Sequence, residues 1–122
     1  MRSLFFDSYA FFEIMEGNKN YKPYLEDVAI ITTRLNLMEL HYGLLIKFNK
    51  RVAADNFREL MKFCVDIDDD LIIASNEFRA AHKGKNLSYI DTIGYTLAKS
   101  RGVRFLTGDR QFKDLENVEF VV

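Results

Sequence analysis

The chain has 122 residues, of which 48% are hydrophobic and 29% are charged. This length suits one domain, and the composition is that of a chain with an ordinary core, which excludes a disordered or collagen-like polymer. The 17 basic and 18 acidic residues give a net charge of -1, so the overall charge neither favours nor excludes a nucleic-acid partner. We therefore expect a single domain over residues 1–122.

Features that the sequence lacks narrow the class of protein further. Cys64 is the only cysteine, and no cluster of cysteine and histidine has the spacing of a zinc site, so packing must hold the fold. The longest apolar runs are far shorter than the ~20 residues of a membrane span, and Asp7 comes too early for a secretory signal peptide. These features predict a cytoplasmic protein with no membrane partner.

Short apolar segments alternate with segments of helical periodicity along the chain. The first part is predicted as a strand at 3–7, a helix at 9–16 and a strand at 28–32. Asn36 is predicted to cap a helix whose apolar residues recur up to position 48, and another helix follows at 52–63. The rest is predicted as a strand at 65–67, helices at 71–83 and 89–101, and strands at 103–107 and 118–122.

This alternation of strands and helices indicates an α/β fold. Strands that are apolar on both faces need helices on both sides, so we expect three layers, α/β/α, around a mainly parallel sheet of five strands. In such sheets, ligands bind beyond the carboxyl ends of the strands. The search for functional residues therefore starts at the residues that follow each strand.

Four acids lie at predicted strand ends or in the first turn of the helix that follows. They are Asp7, Glu39, Asp91 and Asp109. We expect these carboxylates to meet at one edge of a parallel sheet, where their mutual repulsion favours a bound cation. Oxygen ligands suit Mg²⁺ or Mn²⁺, and such a cation can bridge to a phosphate.

Residues near these acids have candidate supporting roles. The hydroxyls of Ser8 and Thr107 can orient a carboxylate or a metal-bound water, although they can equally serve as a helix cap and a strand end. For a polyanionic substrate, the nearest basic cluster contains Arg79, Lys83 and Lys85. This cluster lies at a predicted helix end, where cations are common, so it indicates RNA binding only weakly.

Structural roles compete with the metal-site interpretation. Glu39 follows Asn36, and Asp91 follows Ser88, at the spacing of a capping box. Asp109 lies in a turn-like Thr-Gly-Asp-Arg segment. Taken singly, each acid is therefore explained as well by a cap or a turn as by a ligand.

Other charged clusters are interpreted as solvated surface. The acids at 66–70 are denser than the four strand-end acids, but acids directly before a helix are usually a cap. Glu13 and Glu16 are interpreted as surface residues, although Glu13 is within two helical turns of the first strand end.

Four segments together resemble the PIN domain family of metal-dependent ribonucleases, which includes toxins of the VapC type. They are residues 6–8, 37–43, 88–93 and 105–112. The resemblance implies that the four strand-end acids form the family's acidic quartet, with the hydroxyls at 8 and 107 as supports. It also implies a sheet whose first strand is central and whose strand order is 3-2-1-4-5.

We therefore expect a Mg²⁺- or Mn²⁺-dependent endoribonuclease that hydrolyses RNA phosphodiester bonds, either as the toxin of a toxin–antitoxin pair or in RNA processing. Asp7, Asp91 and Asp109 would bind the metal, and Glu39 would bind a second metal or orient water. Two alternatives remain: a receiver-like signalling domain, and a PIN-like domain that binds partners without catalysis.

The helix at 9–16 also bears on partners. It is apolar on nearly all sides, which predicts burial against a second copy of the chain in a homodimer. If the protein is a toxin, we also expect an antitoxin segment in the acidic groove. The alternative to a dimer is that Tyr21, Tyr24 and Leu25 fold back over this helix.

Overall fold

A four-stranded parallel sheet forms the centre of the computed structural model, which describes residues 1–122. The strands are β1 (Arg2–Phe6), β2 (Val28–Ile31), β3 (Arg104–Thr107) and β4 (Val118–Phe120), in the order β2-β1-β3-β4. The helices are α1 (Ser8–Met15), α2 (Arg34–Lys47), α3 (Lys50–Leu60), α4 (Asp69–Ala81) and α5 (Tyr89–Ser100). None of them has both the length and the apolar character needed to cross a membrane.

The predicted α/β fold with a parallel sheet is confirmed, but the prediction of five strands is wrong. Residues 65–67 form no strand, and a single parallel bridge joins Thr32 to Cys64 beside β2. The chain leaves the sheet edge after this bridge because exposed acids follow, and the side chain of Asp68 caps α4. The bridge lies where the third strand was expected to pair, so the predicted order 3-2-1-4-5 loses only its outermost member.

Alternate residues of β1 are buried on opposite faces of the sheet. Leu4 and Phe6 pack with residues of α1, α2 and α3, whereas Phe5 packs with residues of α4 and α5. Phe5 also stacks on Phe105 of β3, with the ring centroids 5.4 Å apart. These contacts form the three expected layers and hold Asp7, the residue after β1, at the carboxyl edge of the sheet.

Helix α2 begins earlier than predicted. Its cap is Thr33, whose hydroxyl oxygen accepts a hydrogen bond from the backbone N of Asn36 (3.2 Å). Thr32 is still paired at the sheet edge, so Thr33 is the first residue free to turn the chain into a helix. The predicted cap Asn36 lies inside the helix and is buried. In contrast, Ser88 caps α5 as predicted.

Residues of the chain itself cover α1. Tyr21 is buried in the same core cluster as Phe11 of α1, and its hydroxyl donates to the carbonyl oxygen of Val121 (2.6 Å). Tyr24 packs against this cluster, whereas Leu25 is exposed. The structure therefore supports the alternative in which this segment folds back, and α1 by itself gives no reason for a second subunit.

Candidate active site

The four predicted site acids line one cleft at the carboxyl ends of β1 and β3. The cleft has a volume of about 530 Å³, and its wall includes Asp7, Glu39, Asp91 and Asp109. Glu13 of α1, which the sequence analysis interprets as a surface residue, is a fifth acid in the same wall, and its Oε1 accepts a hydrogen bond from Nδ2 of Asn18. The sequence carried a signal for it, because Glu13 is within two helical turns of the strand end at Asp7.

Asp7 is the most deeply buried of these acids, with 5% of its surface exposed. Its Oδ1 caps α1 by accepting from the backbone N of Ala10 (2.8 Å), and its Oδ2 accepts from the hydroxyl of Thr107. Burial raises the pKa of Asp7 to about 7; the charges of Asp91 and Asp109 add to the rise, and the two hydrogen bonds oppose it. Asp7, and not Ser8, is thus the cap of α1.

Ser8 supports Glu39 instead of capping a helix. Its hydroxyl donates to Oε1 of Glu39 (2.7 Å) across the cleft. Because α2 is capped by Thr33, Glu39 lies in the second turn of the helix and has no capping role, which contradicts the capping-box alternative at this position. Burial raises the pKa of Glu39, with a further contribution from nearby carboxylates, and the bond from Ser8 opposes the rise.

Asp91 takes part in a capping box and also lines the cleft, so the cap and site roles that the sequence left open are not exclusive. Its Oδ2 accepts from the backbone N of Ser88 (2.9 Å), and its own backbone N donates to Oγ of Ser88 (3.1 Å), which completes the capping box of α5. Oδ1 of Asp91 has no hydrogen-bond partner, and the residue lines the cleft. Burial raises the pKa of Asp91, and the charge of Asp109 raises it further.

Thr107 connects Asp109 to Asp7. The Thr107 hydroxyl oxygen accepts from the backbone N of Asp109 (3.0 Å) while the hydroxyl donates to Asp7. Oδ1 of Asp109 caps a short 3-10 helix by accepting from the backbone N of Gln111 (3.0 Å). Between them, Gly108 passes so close to the ring of Tyr9 that a Cβ atom would collide with it. This close approach leaves no room for a side chain at position 108.

The sequence model of the PIN domain family matches residues 4–118. The chain belongs to the PIN domain family. This confirms the family resemblance found in the sequence and excludes the receiver-like alternative. A comparison with curated proteins gave no significant match.

Solved structures with the same fold include several toxins. The sarcin–ricin-loop-cleaving toxin VapC20 of Mycobacterium tuberculosis superposes with a TM-score of 0.83 at 16% identity, over 98% of this chain and 99% of that one. DNA-bound VapBC of Salmonella typhimurium gives 0.75 at 20% identity, over 99% and 98%. A toxin–antitoxin complex of Klebsiella pneumoniae gives 0.75 at 18% identity, over 95% of both chains. At these identities the likeness is one of fold.

The donor set of this PIN domain fits a hard divalent cation. All the metal-ligating groups in the cleft are carboxylates, and neither histidine nor cysteine lines it. No three such groups stand close enough together to enclose one ion. Mg²⁺ keeps several waters and is commonly held by one or two carboxylates plus substrate phosphates, so the spread of the acids suits it better than an all-protein cage.

The competing acid run at 66–70 is outside the cleft. Its members are exposed, and Asp68 accepts from the backbone N of Leu71 (2.9 Å) as the cap of α4. Glu16 pairs with Lys47. The structure thus agrees with the interpretation of these residues as solvated surface and caps.

The predicted RNA-binding cations lie beside the cleft and not in it. Arg79, Lys83 and Lys85 line a separate pocket of about 470 Å³ together with Tyr89. Lys85 is paired with Asp114, at 2.7 Å between Nζ and Oδ1. Arg79 and Lys83 form no ion pair.

Proposed function

We propose that this PIN domain is a Mg²⁺- or Mn²⁺-dependent endoribonuclease. The observation that carries the proposal is the convergence of Asp7, Glu39, Asp91 and Asp109 on one open cleft. Burial raises the pKa of three of these acids despite their hydrogen bonds, which is the expected condition of a site whose charge a cation normally balances.

Each acid has a distinct role in this proposal. Asp7, Asp91 and Asp109 would bind the metal, one or two of them directly and the rest through its waters, because no three acids enclose one ion. Thr107 fixes Asp7 and Asp109 relative to each other. When bound, the cation lowers the pKa of a coordinated water and balances the charge that develops on the phosphoryl oxygens. Glu39, held by Ser8 through Oε1, has Oε2 free to orient the attacking water or to contact a second metal. No side-chain nucleophile is required.

The choice of RNA as substrate and of an antitoxin as partner follows from the relatives. VapC20 is a toxin that cleaves the sarcin–ricin loop, and the Klebsiella pneumoniae structure is a toxin–antitoxin complex. We propose an antitoxin partner and a homodimer for this chain as well. Large apolar side chains available for such contacts are exposed on α2, at Met38, Tyr42 and Ile46, and on α4, at Ile72 and Ile73.

A non-catalytic partner-binding domain is the remaining alternative, and cleavage of RNA by the purified chain separates the two. We expect the wild type to cleave RNA in Mg²⁺ or Mn²⁺, Asp91→Asn to lose at least about 100-fold in rate, and Asp66→Asn, outside the cleft, to keep the wild-type rate. Equal rates for the wild type and Asp91→Asn would remove this cleft from the reaction. No cleavage by folded wild type in either metal would favour the non-catalytic domain.

A further inference from the structure

We propose that the pocket between the end of α4 and the start of α5 is a stacking subsite for one base of a single-stranded RNA. This inference rests on the proposed function, because it concerns the substrate of the adjoining cleft. We call it the Tyr89 pocket; its wall is formed chiefly by Asn76, Arg79, Lys83, Lys85, Leu87 and Tyr89.

The Arg79 guanidinium and the Tyr89 ring are in contact in the Tyr89 pocket. The guanidinium carbon of Arg79 lies 4.3 Å from the centroid of the Tyr89 ring, and Nε of Arg79 donates to the carbonyl oxygen of Leu87 (3.0 Å). This hydrogen bond anchors the guanidinium and leaves its terminal nitrogens free. Tyr89 nevertheless remains 63% exposed. Aromatic rings and guanidinium planes are the groups on which proteins stack unpaired bases.

The Arg79 side chain does not hydrogen-bond the carbonyl groups at the end of its own helix. His82 is the residue that does so, because its Nδ1 is 2.9 Å from the carbonyl oxygen of Phe78 in the last turn of α4. Arg79 instead reaches across to α5, and neither it nor Lys83 has an acidic partner. Two unpaired cations beside an exposed aromatic ring combine the two contacts that single-stranded nucleic acids use, phosphate pairing and base stacking.

The Tyr89 pocket and the acidic cleft are lined by adjacent residues of the chain. Leu87 and Tyr89 belong to the pocket, whereas Ser88, between them, belongs to the cleft and forms the capping box with Asp91. An RNA strand whose scissile phosphate lies at Asp91 can therefore place a neighbouring base on Tyr89. Bases inside a duplex are stacked on each other and cannot do so, which predicts a preference for single strands, loops and ends.

Binding of a short labelled single-stranded RNA, measured in EDTA so that no metal-dependent cleavage occurs, tests the subsite. Tyr89→Ala should weaken binding by roughly 5- to 150-fold, and Tyr89→Phe should restore it. Arg79→Lys keeps the charge but removes the plane, so it should weaken binding without changing the salt dependence. Lys83→Gln should make the negative slope of log K against log salt shallower by about 0.7. Phe48→Ala is the control, since Phe48 is an aromatic residue that is 48% exposed and lines neither pocket.

The outcomes separate the subsite from the catalytic proposal. In metal, Tyr89→Ala should raise KM for single-stranded RNA by a similar factor with little change in kcat, and it should not affect binding of the matching duplex. Equal RNA binding by the wild type and Tyr89→Ala, with loss only in Lys83→Gln, would assign the pocket to an acidic partner held by charge and overturn the subsite. Tyr89-dependent binding by a chain that never cleaves RNA would leave the subsite intact and overturn the nuclease.

Discussion

The substitution Asp7→Asn tests whether the acidic cleft is electrostatically strained when no metal is bound. Asparagine keeps nearly the shape of aspartate and can still accept the hydrogen bond from Ala10 through Oδ1, so the cap of α1 is preserved. Its amide can also contact the Thr107 hydroxyl that now bonds Oδ2. The change therefore removes a buried titrating group with little change in packing.

The size and sign of the effect follow from the pKa of Asp7, which is about 7 against an ordinary value of 3.8. Well below pH 3.8 the carboxyl is protonated in both the folded and unfolded states, and near pH 4 its penalty is still less than about 1 kcal/mol. As the pH rises from about 4 to 7, the unfolded chain releases the proton before the folded one, and the free energy of unfolding falls. At ~1.4 kcal/mol per pH unit, the wild type loses about 4 kcal/mol at this site, which Asp7→Asn does not lose.

Urea unfolding in EDTA between pH 4 and 8 measures this difference. We expect Asp7→Asn to match the wild type near pH 4 and to exceed its stability by up to about 4 kcal/mol at pH 8, with Asp66→Asn, an exposed acid outside the cleft, as control. The difference between the two curves reports the titration of Asp7 together with its coupling to Asp91 and Asp109. A difference between wild type and Asp7→Asn that is constant across this pH range would refute the account of a strained buried carboxyl.

Three further predictions concern the same cleft. Millimolar Mg²⁺ or Mn²⁺ should raise the melting temperature of the wild type, and Asp109→Ala should abolish the rise; an unchanged melting curve in both metals speaks against a preformed site. Gly108→Ala should lower the free energy of unfolding by about 1–3 kcal/mol, because the added methyl group collides with Tyr9; thermal melting at the wild-type value would show that the turn relaxes freely. Ser8→Ala removes the hydrogen bond that opposes the raised pKa of Glu39, so the acidic limb of the pH–rate profile should move to higher pH, and an unmoved limb would separate Glu39 from the rate.

Most of the fold could be predicted from the sequence because its strands are strongly apolar and its helices have clear periodicity. The failure at residues 65–67 has a simple cause: a short apolar stretch predicts a strand, but pairing depends on how far the neighbour extends. β2 ends at Ile31, and only Thr32 remains to bond with this segment. The start of α2 was misplaced for the same reason, since Thr33 and Asn36 are both good caps and the end of β2 selects the first.

In the sequence, a cap and a metal ligand are alternative roles for these acids, whereas in the structure the same residue both caps a helix and lines the cleft. Asp7, Asp91 and Asp109 each use a carboxylate oxygen to cap a helix, and the cap itself fixes the carboxylate at the cleft. Only Glu39 has no cap role, and Ser8 holds it instead. Spacing along the chain could not reveal the contact between Ser8 and Glu39, because it depends on how α1 packs against α2.

The most direct test of the central claim is the single-turnover cleavage rate of labelled single-stranded RNA as a function of Mg²⁺ or Mn²⁺ concentration. The account predicts no cleavage in EDTA, a rate that rises and saturates with either metal, and a much lower rate in Asp91→Asn at every concentration. Cleavage in EDTA at the rate seen in metal, by protein free of contaminating nuclease, would contradict the proposal that these carboxylates act through a bound cation.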